Sequence, residues 1–164
     1  MKPFRKILVP VDFSAHSERA VRMAAGIARR YEASLDIIHV YEPLAYPLPE
    51  GYVMLTQEQL DALFAEFDRQ LRGAKETALA AGALQVDTHV RQGLAVAEIC
   101  DLARDGAYDL IVMGTHGRRG LEHFLLGSVA ERVLRLAPCP VLSVKQAHDP
   151  EKAADGQPST VRRT

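Results

Sequence analysis

Short apolar runs alternate with amphipathic stretches along the chain as far as Lys145. Ile7-Leu-Val-Pro-Val11 reads as a buried strand, Leu35-Asp-Ile-Ile-His-Val40 as a second and Leu84 to Val90 as a third. Leu110-Ile-Val-Met113 and Val141 to Lys145 read as a fourth and a fifth. Helical spacing fills the intervals. Ala20, Val21, Ala24, Ile27, Ala28 and Tyr31 form the apolar side of a first helix running to about Arg30. Thr56-Gln-Glu-Gln59 matches a capping box that opens a second, with Leu60, Leu63, Phe64, Phe67, Leu71, Ala74 and Ala78 on one face and Gly82 at its close. Val96, Ile99, Cys100 and Ala103 mark a third, ended by Gly106, and Ser128 to Ala137 a fourth, stopped by Pro138. The stretch Tyr41 to Leu55 holds Pro43, Pro47, Pro49 and Gly51 and reads as a long loop.

Strict alternation of strand and helix predicts a single doubly wound α/β domain over residues 1–145, a five-stranded parallel sheet with helices on both faces. Right-handed crossovers with two helices per face put the fourth strand beside the first, on the side away from the second. The order is then 3-2-1-4-5, and ligands bind such sheets at the switch between the first and fourth strands. The remaining stretch, Gln146 to Thr164, is polar and aperiodic and reads as a disordered tail.

The switch point receives the densest motif in the chain. Gly114 and Gly117 are followed, after nine residues, by Gly127-Ser128. Glycines let the main chain approach a ligand closely. Ser128 reads as the N-cap of a helix whose free N–H groups point at an anion. The alternative is a loop that needs glycines only for its turns, with Ser128 serving as a cap. Asp12, just after the first strand, has two open readings as well. It is either a carboxylate for a ribose hydroxyl or a phosphate-bound metal, or a turn aspartate ahead of the first helix. Arg118 and Arg119 either neutralise phosphate charge or form a solvated loop tip.

These segments resemble the universal stress protein family. The resemblance runs from Lys6 to Lys145 and rests on Ile7-Leu-Val-Pro-Val-Asp-Phe-Ser14, His39-Val40, Met113 to Ala130 and Ala137-Pro-Cys-Pro-Val-Leu-Ser-Val144. It implies the adenine nucleotide alpha hydrolase-like fold and a bound adenine nucleotide: ATP, or ADP or AMP, with magnesium riding on the phosphates. It also implies roles. Main-chain groups at Val40 hold the adenine, and Pro10, Val11 and Asp12 border base and ribose. Met113, Gly114 and Gly117 lie along the nucleoside and phosphates, and Gly127, Ser128 and Val129 wrap the phosphates; His116 and Arg118, from the same glycine segment, complete the expected nucleotide-binding set. Some members carry threonine where this chain has Ala130, so one phosphate contact is absent here. Members pair the last strand across a two-fold axis, which implies a homodimer through Val141, Leu142, Ser143 and Val144. An apolar strand at a sheet edge needs cover in any case.

Composition narrows the function. The chain has 164 residues, a net charge of −1 and a pI near 6.6, so no general field draws it to nucleic acid or membranes. No apolar run approaches the roughly 18 residues of a membrane span, and the first strand is too short for a secretory core. Cys100 and Cys139 stand apart without a C-x-x-C partner and read as buried free thiols of a cytoplasmic protein. There is no P-loop and no G-x-G-x-x-G after the first strand. His16, His39, His89, His116, His123 and His148 show no paired zinc spacing and read as polar loop residues. No nucleophile is paired with a base, and nothing marks an arginine finger. Together with the resemblance, this implies a nucleotide-binding stress-response module with no catalytic residues. The alternatives are a slow Mg-dependent ATPase using the same site and a nucleotide-free interaction dimer.

Overall fold

The middle strand of the sheet, β1 (Lys6–Pro10), carries Ile7, Leu8 and Val9 with no exposed surface. Its three central residues are apolar, as suits a strand covered by helices on both faces. The computed structural model describes residues 4–42, 46–48, 51–53, 55–115 and 127–145. After β1 come α1 (Ala15–Tyr31), β2 (Ser34–Tyr41), β3 (Tyr46–Leu48), β4 (Gly51–Val53) and α2 (Gln57–Ala80). They are followed by β5 (Val86–Gln92), α3 (Ala95–Asp105), β6 (Leu110–Gly114), α4 (Ser128–Leu136) and β7 (Val141–Val144). The main sheet has five parallel strands in the order β5-β2-β1-β6-β7. With the β3-β4 hairpin set aside, this is the 3-2-1-4-5 order. Its switch point lies between β1 and β6.

Alternate residues of each strand feed opposite cores. Ile7, Val9, Leu35, Ile37 and Val112 pack with Ala20, Val21, Ala24 and Ala28 of α1 and with Leu71 and Ala78 of α2. Leu8, Ile38, Ile111 and Met113 pack with Ile99, Leu102 and Ala103 of α3 and with Ala130 and Val133 of α4. The alanine face of α1 lets that helix lie close to the sheet. The capping box at α2 is formed: Thr56 accepts from the Gln59 N–H, and the Gln59 side chain accepts from the Thr56 N–H at 2.9 Å.

Several details differ from the sequence reading. The stretch expected as a loop contains the antiparallel hairpin of β3 and β4, with Tyr46 opposite Val53 and Leu48 opposite Gly51. The third strand of the sheet begins at Val86, because its register with β2 runs on to Tyr41 opposite Gln92, and Leu84 is left exposed. His16, His39 and His89 lie in α1, β2 and β5 and are not loop residues. Cys100 is buried, but Cys139 is only half-buried; both are free.

A buried polar cluster lies toward the amino-terminal half of the sheet. Asp36 on β2 accepts hydrogen bonds from the Tyr108 hydroxyl and from His89 Nε2 at 3.1 Å, with Lys6 Nζ at 3.9 Å. Burial first, then the hydrogen bond and charge of Asp36, push the Tyr108 phenol well above its ordinary value.

Candidate functional site

Four chain segments meet at the carboxyl ends of the central strands. The first is the exit from β1. The Val11 N–H donates to the Ile38 carbonyl at 2.8 Å, extending the β1–β2 ladder by one residue beyond Pro10. Asp12 then turns the chain. Its Oδ1 accepts both the Ser14 N–H, at 3.1 Å, and the Ser14 hydroxyl, at 2.6 Å. Ser14 is the N-cap of α1 and accepts the Ser17 N–H at 3.3 Å. Asp12 therefore makes the turn contacts of a loop aspartate, and it does so at the switch point where an acceptor for a sugar hydroxyl would stand.

The second segment is the end of β2. His39 is buried, and its Nδ1 donates to the Val11 carbonyl at 2.9 Å. Val40 is half-buried on the opposite face, against the core shared with α3 and α4. The third is the end of β6. Met113 is 5% exposed and packs in that same core. A Cβ placed on Gly114 would stand 3.0 Å from the carbonyl carbon of His16 and 3.0 Å from its Cβ. The glycine lets β6 end directly against the first turn of α1.

The fourth segment is the start of α4. Thr115 is 1% exposed, and its N–H donates to the Val144 carbonyl at 3.2 Å. Its own carbonyl accepts the Gly127 N–H at 2.7 Å. The described residues on either side of 116–126 are thus hydrogen-bonded to one another. His116, Gly117 and Arg118 of the expected site lie outside the described residues. The cap position of α4 is Gly127, with φ −58° and ψ 144°, and Ser128 is the first helical residue, which corrects the expected serine cap. No side chain caps this helix among the described residues. The first-turn amides of Ser128, Val129 and Ala130 have no acceptor within the helix, and the helix dipole adds positive potential there. The start of α1, by contrast, is closed by Ser14.

A cleft of about 520 Å³ between α3 and α4 is lined by Glu42, Leu94, Ser128, Val129, Arg132 and Leu136, among others. The structure thus brings Pro10, Val11, Asp12, Val40, Met113 and Gly114 to the carboxyl ends of three neighbouring strands. Gly127 joins them through Thr115, with Ser128 and Val129 following in α4. Two residues at this end of the sheet were not among the expected site residues. Phe13 adopts φ +62°, a left-handed conformation that a phenylalanine does not advertise. His39 was legible only as one histidine among several. Its position in an apolar strand was the available clue.

Comparison with known proteins agrees with this fold. A family model described as the universal stress protein family matches residues 3–145. A putative universal stress protein of Staphylococcus epidermidis is 39% identical over 157 residues, covering 92% of this chain and 90% of that protein. A crystal structure of a universal stress protein in complex with cAMP matches with TM-score 0.70 and 29% identity, over 89% of this chain and 100% of that one. The universal stress protein from Archaeoglobus fulgidus in complex with dAMP matches with TM-score 0.63 and 25% identity, over 88% of this chain and 100% of that one.

Proposed function

The chain belongs to the universal stress protein family, and from that premise we propose that it binds an adenine nucleotide at the β1–β6 switch point. Occupancy of that site, rather than turnover, would be its signal in a stress response. One observation carries the reading. Among the described residues no side chain caps the N-terminus of α4, and Gly127 pins that end to Thr115, just past β6, the strand that neighbours β1. Amides without an acceptor in their own helix, at the same end of the sheet as a carboxylate, suit a ligand with phosphate at one end and a ribose at the other.

In this reading ATP, or ADP or AMP, lies across the carboxyl ends of β2, β1 and β6. The main chain at Val40 holds the base, and Pro10, Val11 and Asp12 border base and ribose. Met113 and Gly114 support the nucleoside, with His116, Gly117 and Arg118 joining from residues 116–126. Gly127, Ser128 and Val129 take the phosphates. The set suits magnesium held mainly by phosphate oxygens, with Asp12 the candidate protein oxygen. The two similar proteins with cAMP and dAMP support the adenine class.

The assembly we propose is a homodimer through β7, an edge strand on which Leu142 is 38% exposed. Its free thiols suit the cytoplasm. Among the described residues no helix is long and apolar enough to cross a membrane. Mass spectrometry of small molecules released from freshly purified protein tests the reading. A stoichiometric adenine nucleotide supports it. Its absence, together with no heat of binding on titration with Mg-ATP, Mg-ADP and AMP, overturns it.

A further inference from the structure

The turn after β1 has a backbone that its sequence does not favour. Phe13 at φ +62° sits in the left-handed region, which bulky residues occupy only where their surroundings over-determine them. Those surroundings centre on His39. Its Nδ1 lies 2.9 Å from the Val11 carbonyl, and because a carbonyl can only accept, the proton is on Nδ1. The Phe13 ring lies 4.4 Å from the imidazole, and the Phe67 ring of α2 lies 4.7 Å from it. His39 is 8% exposed and Val11 is 7% exposed, so neither group can trade this bond for water without opening the fold.

The two residues that flank Asp12 are therefore held from the same side. Val11 is fixed through its carbonyl by His39 and through its N–H by Ile38. Phe13 is fixed through its ring by His39. Beyond them, Ser14 is fixed as the cap of α1 and bonded to Asp12 Oδ1. Asp12 has little freedom left. We propose that His39 is the positioning residue of the nucleotide site: its Nδ1–H bond to Val11 and its ring contact with Phe13 hold the Asp12 turn in the shape that meets base and ribose. The inference rests on the adenine-nucleotide reading above. It adds that affinity is set in part by a side chain acting through Val11 and Phe13. Loss of the donor leaves the Val11 carbonyl buried without that partner and frees Phe13 to relax toward a commoner φ, which re-aims Asp12.

Three substitutions separate positioning from folding. His39→Asn carries an amide N–H near the place of Nδ1, whereas His39→Gln carries it near the place of Nε2. His39→Phe keeps an aromatic ring against Phe13 and Phe67 but has no donor. Mg-ATP affinity by isothermal titration is compared with the melting temperature of each ligand-free variant. The expected result is rescue by asparagine. His39→Asn binds within about threefold of the wild type although it melts lower, while His39→Gln and His39→Phe each lose about tenfold or more, equivalent to about 1.4 kcal/mol. Affinity that simply follows melting temperature across the series overturns the positioning role, as does equal affinity of the asparagine and glutamine variants. Should His39→Phe not fold, the asparagine–glutamine pair decides the matter. A wild-type chain that takes up no adenine nucleotide overturns the nucleotide reading and this inference with it. A wild type that binds, with variants that bind equally well, overturns the inference alone.

Discussion

The Gly127 N–H donates to the Thr115 carbonyl at 2.7 Å, and this one bond ties the start of α4 to the end of β6. Gly127 has φ −58° and ψ 144°, a backbone open to any residue. Its glycine is therefore not required for a turn. What remains is the lack of a side chain beside the first-turn amides.

Gly127→Val should lower Mg-ATP affinity at least about tenfold, about 1.4 kcal/mol. The ligand-free melting temperature should fall far less, because the backbone at 127 is unstrained. Gly117→Val is expected to behave in the same way. Titration and melting with and without Mg-ATP check both. Unchanged affinity in folded variants would remove the case for phosphate at this helix start.

Gly114 belongs to the same motif for a different reason. Its added Cβ would meet His16 main-chain and Cβ atoms at 3.0 Å, and the carbonyl oxygen at 3.1 Å. A helix backbone cannot swing aside as a flexible side chain can. Gly114→Ala should cost about 1–3 kcal/mol of stability without any ligand, the usual cost of overpacking. A denaturant midpoint unchanged from the wild type would contradict the tight approach of β6 to α1.

That contrast marks how far the sequence could be read. The order of the strands followed from five apolar runs and the handedness of crossovers, and the Thr56–Gln59 capping box was visible letter by letter. The glycine motif marked the candidate site but not the separate reasons for its glycines. The distances from Gly114 to His16 and from Gly127 to Thr115 are tertiary and leave no local pattern. The β3–β4 hairpin escaped because Pro47, Pro49 and Gly51 read as loop punctuation and three-residue strands are too short to show a period. Phe13 escaped because its positive φ is imposed by surroundings that include His39, a residue of another strand.

The Tyr108–Asp36 pair predicts a dependence on alkaline pH. Burial and Asp36 raise the phenol above its ordinary value of 10.0. The unfolded chain releases this proton near pH 10, while the folded chain keeps it to higher pH. The contribution is therefore complete below pH 10 and declines as pH rises beyond it. Tyr108→Phe should flatten that limb of the stability curve. It should also cost about 1–3 kcal/mol near neutrality, since the buried Asp36 carboxylate loses a donor. Denaturant unfolding of both proteins at pH 7 to 11 measures the two effects; parallel curves would contradict the first.

The edge strand β7 carries the last prediction. Val141 packs against the core beneath α3 and α4, so a charge there would disturb the fold itself. Leu142 is 38% exposed, and a lysine at that position can keep its ammonium group in water. Exposed edges commonly carry lysine for this reason, since a charge opposes pairing with another strand. If β7 pairs across a two-fold axis, Leu142→Lys brings two like charges toward one another. Dimer dissociation should then rise by about tenfold or more, while the monomer melts within a few degrees of the wild type. Sedimentation at micromolar concentration reads the assembly, and calorimetry of dilute samples reads the fold. A wild type that sediments as a monomer rules out the dimer. A dimer unaffected by both Leu142→Lys and Ser143→Pro, which alters the strand backbone itself, places the interface on another face.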